Sequence, residues 1–122
     1  LSPLEAAAYV DSFNSAAVKW HFDVGNIVDY GWPEQWIRIL GPRIAKVHVK
    51  EYSRKLRDEK GPREGFNVEL LAGDSDWPTF MTALDAIGYK GWIISEQRRT
   101  PGLSDVEWYA HLSAQMDRIN AS

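Results

Sequence analysis

The stretch WHFDVGN, residues 20 to 26, governs how the rest of the chain is read. Trp20 and Phe22 alternate with His21 and Asp23, and Val18 and Lys19 extend the alternation upstream, which is the period-two pattern of a strand. Gly25 breaks it at once. Where an apolar strand stops, a carboxylate is either the former of the next turn or helix cap, or a ligand at the mouth of a sheet. Both readings of Asp23 are open on these residues alone.

The same arrangement recurs twice. IAKVHVKE (44–51) sets Val47 and Val49 against Lys46, His48 and Lys50, and YKGWIISEQ (89–97) forms a third strand. Helices are expected between and around them. PEQWIRILG has Pro33 in its first turn and Gly41 at its stop, and DWPTFMTALDAIG is capped at Asp76 or Trp77 and ends at Gly88. Capping boxes, Ser2 with Glu5 and Ser104 with Glu107, open a first helix that closes at Asn14-Ser15 and a last one from 105 to about 119. The segment from Gly25 to Gly31 is expected as a loop. So is the long polar stretch 52–76, which lacks a firm helical period and reads as a functional or flexible loop. Helices alternating with three strands predict an α/β domain over residues 1–122, with parallel strands and about four helices.

Composition narrows the function. With 44% apolar and 25% charged residues the chain has the profile of a soluble globular domain. A net charge of −3 argues against a nucleic-acid partner, which needs a basic surface. The absence of cysteine excludes disulfides and thiolate metal sites. No apolar run approaches the roughly 18 residues of a membrane span, so no membrane partner is expected and a cytoplasmic location is the default.

Each predicted strand ends near a ligand-type residue: Asp23, His48 and Glu96. Singly, each has an ordinary explanation as a turn former, a rim histidine or a surface carboxylate. Together, at the carboxyl ends of parallel strands, they make a nitrogen-and-oxygen set suited to manganese, magnesium, cobalt or zinc.

In this order, WHFDVGN, KVHVKEYSR, GDSDWPTF and GWIISEQ resemble the C-terminal half of the xylose isomerase-like TIM barrels, in the sugar-phosphate isomerase and ketose 3-epimerase branch. The likeness runs from Ser2 to about Asp117. It implies a (β/α)8 barrel, present here as an incomplete C-terminal half-barrel, and one divalent ion, manganese foremost. The metal set it implies is Asp23, His48 and Glu96, with Arg54 contacting substrate oxygens. Asn26 stands where some epimerases carry a histidine; it can hydrogen-bond a hydroxyl but supplies no imidazole. The family's first catalytic glutamate would precede Ser2, so the chain is expected to be a fragment or half-barrel. The implied chemistry is proton transfer beside a ketose carbonyl through a metal-stabilised enediolate, with Glu96 as one of two carboxylates.

Other residues are candidates of lesser weight. Lys50, beyond His48 on the same strand face, is either a substrate contact or solvent-exposed. Trp32 could stack on a sugar. Arg98 and Arg99 could hold a substrate phosphate, whereas Arg54, Lys55, Arg57, Lys60 and Arg63 are interleaved with acids and read as a solvated loop. Trp20, Trp36, Trp77, Trp92 and Trp108 read as packing residues, His21 as a filler of the barrel interior, and His111 as structural. The expected partner is a small sugar or sugar phosphate. Open sheet edges would invite a homo-oligomer or association with the rest of the barrel. Two rival functions remain, a non-catalytic half-barrel used for binding or assembly and a metal-dependent endonuclease of the same superfamily. Few histidines and the negative charge speak against the second.

Overall fold

A computed structural model describes residues 1–122. Helix α1 (Pro3–Ser12) starts on its expected capping box, Ser2 Oγ accepting from the Glu5 amide and Glu5 Oε2 from the Ser2 amide at 2.7 Å. The remaining elements are β1 (Trp20–Asp23), α2 (Val24–Val28), α3 (Pro33–Leu40), β2 (Ile44–Val49), α4 (Arg54–Lys60), α5 (Trp77–Ala86), β3 (Ile93–Ser95) and α6 (Asp105–Asn120). Short 3-10 turns at Gly41–Arg43 and Pro62–Phe66 complete the set. No helix is long and apolar enough to cross a membrane.

The three strands pair in parallel, in the order β1-β2-β3. Their alternation divides the sheet into two faces. Phe22, Val47 and Val49 are fully buried on one, where Trp36, Ile37 and Leu40 of α3 and Phe80, Ala83 and Leu84 of α5 pack into a common core. The apolar residues of α3 recur at helical spacing, so burial of that stripe drives both helix formation and docking. The other face carries His21, Asp23, Lys46, His48 and Ile94, and no helix covers it. A parallel sheet is normally covered on both sides; here the second side is what a closed barrel would enclose.

Four expectations require correction. The α-helices number six, because α2 and α4 lie in segments read as loops. Gly25 does not break the chain but sits within α2, where a Cβ would lie 2.6 Å from Lys50 Cγ and 2.9 Å from the Lys50 carbonyl oxygen. It permits close approach of α2 to the end of β2. In α4 no residue is buried, so the helix has no apolar stripe to betray it; the Ser53 cap on the Leu56 amide at 3.2 Å and favourable propensity sustain it. Finally, the strands are shorter than their alternating runs, and Trp92, read as a packed strand residue, lies outside β3 and is 84% exposed.

Candidate metal centre

The register of the sheet assembles the site. Asp23 pairs with His48 across β1 and β2, and His48 with Ile94 across β2 and β3. One residue past β3, the Glu96 amide donates to the Val49 carbonyl at 2.8 Å, prolonging the ladder far enough to bring its side chain over the same rim. One ligand atom each from Asp23, His48 and Glu96 then lie within 4.8 Å of one another. Of the two roles left open by its sequence position, Asp23 fills the cap, Oδ1 accepting from the Asn26 amide at 3.0 Å, while Oδ2 faces the cluster.

Lys50 occupies the centre of this group. Its ammonium is 2.8 Å from Glu96 Oε2, 3.1 Å from Asp23 Oδ2 and 5.1 Å from the centroid of the Phe66 ring. Burial draws its pKa down, but the hydrogen bond to Glu96 and the charge of Asp23 outweigh this, and the net shift is upward. The same contact with Lys50 holds the Glu96 carboxyl below the usual range. His21 meets His48 edge-on, ring centroids 4.0 Å apart; burial, then the charges of His48 and Lys46, depress its pKa.

The donor set fits a divalent ion. Bonds of about 2.1 Å allow ligand atoms on one ion to be at most about 4.2 Å apart, so the three side chains need only close slightly. Two carboxylate oxygens and an imidazole nitrogen suit a hard or borderline cation. An ammonium already lies between the two carboxylates, which marks the place as one that attracts positive charge.

A cavity of about 320 Å³ adjoins the cluster, lined by Asn26, Lys50, Glu51, Phe66, Glu96, Gln97 and Arg98. Asn26 and Lys50 therefore stand beside the ligand set. Arg54 does not line the cavity: its guanidinium donates to the carbonyls of Val28 and Gly31, at 2.9 Å each, and so ties down the connection from α2 to α3. Trp32 precedes α3, is 61% exposed, and also lies off the cavity lining.

Glu51, read from the sequence as one acid of a mixed-charge loop, is 1% exposed. Its carboxylate accepts from the amides of Tyr52, Leu71 and Ser75 and, at 3.0 Å, from Trp77 Nε1. Those four donors fasten the long connection 52–76 and the first residue of α5 to the end of β2. Gln97 works beside it, accepting from the Glu51 amide at 2.9 Å and donating to the Val68 carbonyl at 2.8 Å. The clue to Glu51 lay in its place, a carboxylate within two residues of a strand end, as Asp23 and Glu96 also are, but its partners come from residues up to 26 positions away.

Together the half-open parallel sheet and the cluster at its carboxyl rim define an α/β half-barrel with a candidate metal site. Residues 2–118 match the family model of the xylose isomerase-like TIM barrel, and the chain belongs to that family. Inosose dehydratase of Geobacillus thermodenitrificans (strain NG80-2) is 32% identical in an alignment of 111 residues that covers 80% of this chain and 36% of that protein. Among solved structures, the xylose isomerase domain protein of Planctomyces limnophilus superposes over 99% of this chain and 43% of its own, with a TM-score of 0.73 at 21% identity. A D-allulose 3-epimerase from Methylomonas sp. does so over 95% and 35%, with a TM-score of 0.60 at 23% identity. The chain thus spans well under half the length of each.

Proposed function

We propose that this chain carries the metal-binding and proton-transfer face of a divalent-metal-dependent sugar isomerase or epimerase. The observation that carries the reading is the convergence of Asp23, His48 and Glu96, from three successive strand ends, on one point beside a cavity. A divalent ion held there supplies Lewis acidity toward a carbonyl and its neighbouring hydroxyl. Manganese is the first choice; magnesium, cobalt and zinc accept the same donors.

The chain's own groups do the rest. Glu96, whose carboxyl Lys50 holds below the usual range in the metal-free chain, takes the proton from the carbon beside the carbonyl and returns it. Lys50 and Asn26 present donors to substrate oxygens, and the Phe66 ring offers an apolar wall to the C–H face of a sugar. Inversion at that carbon needs a second base on the opposite face, which belongs to the remainder of the barrel. Exchange of the proton with solvent needs only Glu96. In deuterated water, NMR of a ketohexose incubated with the manganese-loaded chain is expected to show deuterium entering next to the carbonyl, and Glu96→Gln to abolish it. Exchange no faster than in buffer, or indifferent to that substitution, would refute this assignment.

The dehydratase relative favours a second reading from the same first step. Once the proton beside the carbonyl is removed, departure of a hydroxyl from the next carbon, protonated as it leaves, gives water and an unsaturated ketone. A product lighter by one water, read by mass spectrometry, separates this outcome from epimerisation.

A further inference from the structure

We propose that the cavity beside the cluster holds an anionic substituent of the substrate, a phosphate or a carboxylate, and that Arg98 is its anchor. This rests on the reading of Asp23, His48 and Glu96 as the reacting centre.

The two arginines that follow Glu96 differ in how their charge is met. Arg99 is ion-paired with Asp105 at 2.5 Å and donates to the Leu103 carbonyl at 2.7 Å. Arg98 has no carboxylate within 4.0 Å. Its guanidinium donates to the side-chain carbonyl of Asn67, whose own amide nitrogen is held by Glu64 at 2.5 Å. A neutral partner orients the guanidinium without neutralising it. The backbone beneath it is fixed by Gln97, bound on both sides to the Glu51 amide and the Val68 carbonyl.

Arg98 lines the cavity it shares with Lys50 and Glu96, and also an adjoining one of about 280 Å³ with Phe66, Asn67 and Thr100. A substrate reacting at Glu96 therefore extends toward an uncompensated guanidinium, whose fork suits the paired oxygens of phosphate or carboxylate. Loading reinforces the effect. Once a divalent ion takes up the charges of Asp23 and Glu96, Lys50 loses its counter-charges and faces the same cavity as a second cation. Glu51, the other acid lining the shared cavity, has its carboxylate engaged by four donors and turned to residues 71–77, and Glu69, on the adjoining cavity, accepts from Thr100 Oγ1 at 2.9 Å and lies 3.6 Å from His111 Nε2.

Sulfate, which stays soluble with manganese, is the probe. Calorimetric titration into the manganese-loaded chain is expected to show binding that Arg98→Met weakens at least tenfold and Arg98→Lys less, while Arg99→Met changes it less than twofold. No binding, or equal binding by Arg98→Met, would overturn the assignment. Manganese titrated into Arg98→Met reports whether fold and cluster survive. If the parent chain itself takes no manganese, sulfate titrated without metal still reads Arg98, so the two readings fail separately. A ketopentose 5-phosphate and a keto-hexonate, each compared with a neutral ketopentose, then tell which anion the site prefers. Both anions binding no tighter than the neutral sugar would also sink the proposal.

Discussion

Asp23 shares its two carboxylate oxygens between a helix and a cluster, and the two duties are separable. Asn caps a helix about as well as Asp, so Asp23→Asn is expected to change thermal stability by less than about 1 kcal/mol while lowering manganese affinity at least tenfold. Lys50 works in the opposite sense. Its ammonium fills the place between the carboxylates that an ion would take, so Lys50→Met is expected to tighten manganese binding about tenfold, or about 1.4 kcal/mol, and to weaken the metal-free fold. Calorimetry with parallel thermal melts reads both. Tyr52 supplies the pH test. Buried, and donating to Asp29 at 2.8 Å, its hydroxyl is pushed up to about 12. A raised native pKa favours the protonated form, so this contribution is complete below the ordinary tyrosine value of about 10 and is lost as pH rises through about 12. Denaturant melts across that window are expected to show the loss, and Tyr52→Phe to remove its Tyr52 share. The convergence of Asp23, His48 and Glu96, which follows from position along a strand, was legible in the sequence. The partners of Glu51 and Arg54 were not, because most of them are backbone groups, or in Trp77 an indole, delivered by distant segments.

Helix α4 shows why whole elements escape such a reading. Periodicity reports burial, and α4 buries nothing; its cap, Ser53, is one serine among many polar residues. Ser53→Ala should cost about 1 kcal/mol in a thermal melt, because the Leu56 amide then loses its acceptor. In α2 the misleading residue was Gly25, taken as a breaker although its missing side chain is what lets Lys50 pass. Gly25→Ala would therefore push Lys50 off its carboxylates, and is expected to alter metal affinity more than a surface substitution of equal size. By contrast α1, α3, α5 and α6 each open on a side-chain cap, a first-turn proline or both, and all four stand where those signals put them.

As a molecule, the chain buries one face of its sheet and leaves the face bearing the cluster open, with Ile94 on it 38% exposed. The alternation of helices and strands made the parallel α/β layering legible; the barrel could be inferred only from the family's motifs, because strands that would close it are not in the chain. An ion bridging three strand ends would tie β1, β2 and the residue after β3 together. Since ligand binding to the native state adds about 2.7 kcal/mol at a hundredfold excess over Kd, manganese is expected to raise the melting temperature by roughly 10 °C, and a chelator to reverse it. The measurement to make is calorimetric titration of manganese into the chain and into its Asp23→Asn and His48→Ala variants. One site, weakened at least tenfold by either substitution, is the result expected if these strand ends form a metal centre. No binding, or binding that neither substitution disturbs, would contradict it.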